Sequence, residues 1–186
     1  MGVRGSINDQ LARSALAQLG IQLGEGNVIE ILVIGGAAAH LQGLLPPSMT
    51  TSDVDAIHFR PPGTVDEVLE AADEAAAIGL LPKGWLNHDD AGLYAHALPA
   101  GWENRRVDIG KFGRLHVYAL SRQDLIAMKF YAHREVDMEH LHAMHVTAAE
   151  RRFTETYLHD LGRDLPDVRG KIELALHILG AWSSAT

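Results

Sequence analysis

The sequence contains no cysteine, which excludes disulfides, thiolate metal sites and a cysteine nucleophile. It has no apolar run near the roughly 18 residues a membrane span needs. No apolar stretch follows the short basic start, so neither a secretory leader nor a membrane anchor is expected, and the expected location is cytoplasmic. Basic charge is scarce: 16 Lys and Arg stand against 24 Asp and Glu, a net charge of −8, with no long basic run. Tight nonspecific binding of nucleic acid relies on neutralising phosphates, so nucleic acid is a disfavoured partner. There is no G-x-S-x-G motif of a serine hydrolase, no repeat and no low-complexity tract. The eleven histidines include none paired at i, i+4 in the cluster His133, His140, His142 and His145, so they lack the spacing of a helical zinc motif.

Apolar residues make up 47% of the chain, enough for a proper core at 186 residues. Ser6 and Asp9 can open a helix whose stripe of Leu11, Ala15, Leu16 and Leu19 ends at Gly20. Residues 29–34 are branched and apolar, a buried strand, broken by Gly35 and Gly36. A short alanine-rich helix follows, then a loop at Pro46 and Pro47, then a strand over 54–59. Thr64 and Glu67 cap a further helix that stops near Gly79. Strands are expected over 93–98, 106–109 and 115–119, with "PAGWEN" as a hairpin connection and Trp102 at its tip as a candidate partner contact. From Ser121 onward the pattern is helical, with Phe153, Tyr157, Leu158 and Leu161 on one face and Val168, Ile172, Ala175, Leu179 and Trp182 on another. The expectation is an α/β (α+β) domain over residues 1–135, a mixed β-sheet flanked by helices, with a helical C-terminal extension over 136–186.

Within "TSDVDAI", Asp53 and Asp55 are two apart on a strand and face one side together. Two neighbouring carboxylates repel and are costly to bury. A divalent cation resolves the conflict, since Mg²⁺ takes hard oxygen ligands and is often held by one or two carboxylates plus substrate phosphates. "RVDIG" sets Asp108 between apolar neighbours on a later strand, and if that strand adjoined the first, three carboxylates would converge on a two-metal site for phosphoryl transfer. The Gly35–Gly36 turn before a helix lets backbone N–H groups approach a phosphate. Thr51 and Ser52, just ahead of the aspartates, can hydrogen-bond phosphate or carboxylate, although loop capping is their default explanation.

"VIGGAAAHLQG", then "TSDVDAI", then "RVDIG" together resemble the nucleotidyltransferase superfamily with a polymerase-beta-like fold. "LSRQDLIAMKFYAHREVDMEHL" is similar to small bacterial nucleotidyltransferase-like and antitoxin-type proteins, of the DUF6036 and AbiEii-like kind, with Lys129, Arg134 and Asp137 matching their pattern. The resemblance covers about residues 29–141. It implies that Asp53, Asp55 and Asp108 are catalytic and hold Mg²⁺ (or Mn²⁺). It further implies that Gly35 and Gly36, with Thr51 and Ser52, hold a nucleoside triphosphate, and that Lys129 either reaches a phosphate or, equally, stands as a solvated helix lysine. The chain departs from the pattern in its sixteen-residue gap between Gly36 and Asp53, in Met49 where many relatives carry arginine, and in His140 where aspartate is common. The expected activity is transfer of a nucleoside monophosphate from a triphosphate to a hydroxyl on a protein or small molecule. The alternative is a weak or inactive relative acting as a binding partner, such as an antitoxin with a cognate toxin.

Overall fold

The structure is a computed structural model describing residues 6–78, 81–92 and 94–183. Gly79 and Leu93, two positions used in the sequence reading, lie outside the described residues. The chain divides into two compact units, Met1–Ala95 with Arg106–Leu120, and His96–Arg105 with Ser121–Thr186. The sequence pattern set its boundary at 135/136.

In the first unit, helix α1 (Asp9–Gln22) starts at Asn8, whose side chain accepts the Leu11 N–H at 2.9 Å. Asn8, and not the expected Ser6–Asp9 pair, caps this helix, because Ile7 is already bonded to Thr51 in an isolated bridge. Gly20 must be glycine: a Cβ there would lie 2.2 Å from the Phe112 carbonyl oxygen. The chain continues through β1 (Ile29–Val33), α2 (Gly35–Leu41), β2 (Val54–Arg60), α3 (Val65–Ile78), β3 (Leu86–Asn87), α4 (Asp89–Gly92), β4 (Val107–Phe112) and β5 (Leu115–Ala119). The five strands form one mixed sheet in the order β3-β2-β1-β5-β4. β2 runs antiparallel to β1, β5 parallel to β1, β4 antiparallel to β5, and β3 parallel to β2.

The register separates the two faces of the sheet. Paired residues point the same way, so Ile29, Ile31, Val33, Leu115, Val117 and Ala119 share a face, and all are buried. The opposite face carries Glu30, His116 and Tyr118, all half-buried, beside fully buried Leu32 and Ile57. Polar side chains are tolerated there because that face is partly open.

Two expectations fail between these strands. Residues 95–97 form a 3₁₀ turn instead of a strand, and the Ala97 carbonyl is taken by the Tyr157 hydroxyl at 2.6 Å, where a strand would offer it to a ladder. "PAGWEN" closes into a helical turn, α5 (Trp102–Arg105), in place of a hairpin. Trp102 is buried, so it is no exposed tip.

The second unit continues with α6 (Arg122–Ala132), α7 (Glu135–Met144), α8 (Ala148–Asp164) and α9 (Arg169–Ser183). Helix α6 packs against α7, α8 and α9, which is why residues from Asp124 to Tyr131 are buried on every side of it. Tyr157, Leu158 and Leu161 of α8, and Ile172, Ala175 and Leu179 of α9, are buried as their spacing predicts. None of the helices described is long and apolar enough to cross a membrane.

Candidate functional site

The site is built where β1 gives way to α2. The Ile34 N–H donates to the Asp55 carbonyl at 2.9 Å, tying the end of β1 to the start of β2. Gly35 then turns the chain at φ +68°, and a Cβ on it would sit 2.7 Å from Asp55 Oδ2. Glycine is needed twice over, for the left-handed backbone and for room beside the carboxylate. The N-cap of α2, Ile34, supplies no side-chain hydrogen bond.

The other Asp55 oxygen, Oδ1, accepts from Asn87 Nδ2 at 2.9 Å. Asn87 reaches it because β3 lies parallel beside β2 with Asn87 paired to Asp55. Asp53 sits just before β2, half-buried, and Ser52 Oγ donates to its Oδ1 at 3.1 Å. Thr51 uses both backbone groups in the bridge to Ile7, which anchors the segment leading into Asp53. Gly35 and Asp55 thus stand against each other, while Ser52 and Asp53 are bonded in the segment just ahead of Asp55. Asn87 is the participant that sequence reasoning missed. Its strand is only two residues long, too short to show a period, and its one signal is the apolar Trp85–Leu86 pair ahead of it.

Asp108 is not brought to this place, which corrects the expectation of three converging carboxylates. It lies on edge strand β4, with β5 and β1 standing between β4 and β2. Register keeps it on the same sheet face as Asp55, but three strand spacings set the two strands roughly 14 Å apart. The sequence displays an acidic residue in a strand; it does not display that β5 inserts beside β1. Asp108 Oδ1 instead bonds His116 Nε2 at 3.0 Å, and the Tyr118 hydroxyl contacts His116 Nδ1 at 3.2 Å.

Lys129 is also corrected. On α6 it is 3% exposed, and its Nζ donates to Asp137 Oδ1 at 3.1 Å and to His140 Nδ1 at 2.9 Å. Arg134 Nε donates to Asp137 Oδ2 at 2.7 Å. Burial pushes the Asp137 carboxyl up, yet the hydrogen bond from Arg134 and the charge of Lys129 outweigh it and hold the group below the usual aspartate range. Lys129 is thus the centre of a buried polar cluster, not a surface cation reaching for phosphate.

The donor chemistry at Asp53 and Asp55 fits Mg²⁺ or Mn²⁺, but not as a closed protein cage. Among the described residues, no group of three or more His, Cys, Asp or Glu gathers as a metal site. Two carboxylates suffice where substrate phosphates and water complete the shell.

The mixed sheet, the glycine turn and the carboxylate pair at the head of β2 define a nucleotidyltransferase-type domain. A family model described as "Nucleotidyltransferase of unknown function (DUF6036)" matches residues 15–150, and the chain belongs to that family. Comparison with curated proteins and with solved structures gives no match.

Proposed function

We propose that this protein transfers a nucleoside monophosphate from a nucleoside triphosphate to a hydroxyl acceptor, at the site built from Gly35, Gly36, Asp53 and Asp55. The observation that carries this reading is the clamping of Asp55 between the Gly35 backbone and Asn87, with Asp53 two residues ahead of it. In this reading Asp53 and Asp55 hold Mg²⁺ (or Mn²⁺), and the N–H groups opening α2 receive the phosphates. A divalent cation, when bound, neutralises phosphate charge and polarises the reacting oxygens. Ser52 keeps Asp53 oriented, and Asn87 fixes the rotamer of Asp55, so the pair is preorganised for one geometry. The acceptor hydroxyl forms a bond to the α-phosphorus as the bond to pyrophosphate breaks; pyrophosphate leaves with the electron pair, and the hydroxyl proton goes to solvent.

A second reading rests on a specific feature. Asp55 is partnered by neutral Asn87, and Asp108 stands three strands away, so this pocket has less negative charge with which to hold metal than three carboxylates would give. That favours a weakly active or inactive relative acting as a binding partner, for instance of a cognate toxin.

Thermal unfolding separates the two. Ligand at a hundredfold its Kd stabilises by about 2.7 kcal/mol, which for a chain of this size is a rise of roughly 5–10 °C. Millimolar Mg²⁺ with each nucleoside triphosphate should produce such a rise, and Asp53→Asn with Asp55→Asn should remove it. A wild-type midpoint unmoved by all four nucleotides would discard the transferase reading in favour of the binding partner.

A further inference from the structure

The second unit contains a cavity of ≈ 250 Å³ that the nucleotidyl-transfer reading does not use. Its walls are Leu98, Pro99, Phe153, Tyr157, Leu161 and Leu165. Asp160 and Asp164, both exposed and one turn apart on α8, are among its lining residues. His96 completes the lining, and no lysine or arginine is among the described lining residues. Arg163 bonds Asp160 on the helix surface but does not line the cavity.

The walls are held in place before anything binds. Tyr157 donates its hydroxyl to the Ala97 carbonyl at 2.6 Å. Arg105 holds the other wall, donating to the Ala100 carbonyl at 2.9 Å and to Asp124 at 2.7 Å. Its guanidinium also sits 5.4 Å from the Phe153 ring centroid, within the range of a cation–π contact. A cavity fixed in this way binds with little further ordering cost.

We propose that this cavity receives a lysine or arginine side chain from a partner polypeptide. Size decides against a larger ligand, because sites that enclose a drug-sized molecule run to roughly 300–1,000 Å³. Charge decides the sign. An apolar stem lies along Phe153, Tyr157 and Leu161 while its cationic head stays at the wet rim beside Asp160 and Asp164, the arrangement long basic side chains favour. The net charge of −8 helps to draw a basic segment in. The proposal is independent of the transferase reading and survives its failure.

The test uses the full chain and two peptides, acetyl-Gly-Arg-Gly-amide and the same peptide with uncharged citrulline in place of arginine. Amide NMR shifts are followed at Leu98, Thr156, Leu161 and Leu165. The arginine peptide should produce saturable shifts there, with a Kd about fivefold lower than the citrulline peptide, the effect of one exposed ion pair. Asp160→Asn with Asp164→Asn, both surface changes, should bring the two Kd values together. Phe153→Ala, checked for an unchanged far-UV spectrum, should weaken both peptides. Equal affinity of the two peptides for the wild type, shifts centred elsewhere, or none that saturates would overturn the proposal. So would binding of benzylamine here without binding of the arginine peptide, since the site would then serve a free amine.

Discussion

Gly35 and Asp55 constrain each other, and alanine at position 35 separates the two costs. Gly63 has φ +88° with nothing within 4 Å of a built Cβ, whereas Gly35 has φ +68° and the Asp55 oxygen at 2.7 Å. Gly63→Ala should cost about 1–2 kcal/mol from the backbone alone. Gly35→Ala should cost more, and should also displace the Asp55 carboxylate from Asn87. Urea unfolding and the metal–nucleotide thermal shift measure the two effects, and a Gly35→Ala protein no less stable than Gly63→Ala and with its shift intact contradicts this account. Asp137 sets a second prediction. Its native pKa is lowered, so its contribution to stability is complete above the ordinary aspartate value of about 3.9 and is lost as pH falls from there through the native value. Asp137→Asn should flatten the acid slope of urea-measured stability in that window. Near neutrality the same change should cost about 3–5 kcal/mol, because Lys129 is left buried without its counter-charge. An acid slope equal to the wild type would assign the acid sensitivity to another carboxyl.

Strand order governs what happens at Asp108. Because β4 is the far edge of the sheet, Asp108→Asn should leave nucleotide-dependent stabilisation in place while Asp53→Asn and Asp55→Asn remove it. Loss of the shift in Asp108→Asn would mean that the edge strand contributes to the site after all. Helix α8 offers a measurement of local stability. Thr147 and Glu150 form a reciprocal capping box, and Glu150 also bonds Arg122 of α6 at 2.6 Å. Thr147→Ala should cost about 1 kcal/mol, and Glu150→Ala more, since it removes the cap and the ion pair together. Urea midpoints that rank the two variants the other way would show that the Arg122 pair carries little.

Over the whole molecule, charge argues about the acceptor. With 24 acidic against 16 basic residues, no continuous positive track for RNA phosphates is expected. With labelled nucleoside triphosphates and Mg²⁺, label should therefore enter a protein or small hydroxyl compound and leave total RNA unmarked. Label in RNA, lost in the Asp53→Asn protein and weakened by added salt, would reverse this choice of acceptor.

The sequence by itself determined the elements whose causes are local. The branched run before Gly35, the two aspartates at i, i+2 and the apolar stripes of α8 and α9 are all visible in neighbouring residues, because periodicity and glycine geometry act over a few positions. It also sufficed for the mixed α/β class and for the family. Only the tertiary structure decided which strands are neighbours. Asn87, some fifty residues from Gly35, stands at Asp55, while Asp108, from an equally promising strand motif, is held at the far edge by the insertion of β5. Likewise Lys129 has the sequence of a helix lysine, and only the packing of α6 against three other helices buries it against Asp137. Strand order and burial depend on contacts between residues distant in the chain, and no local pattern encodes them.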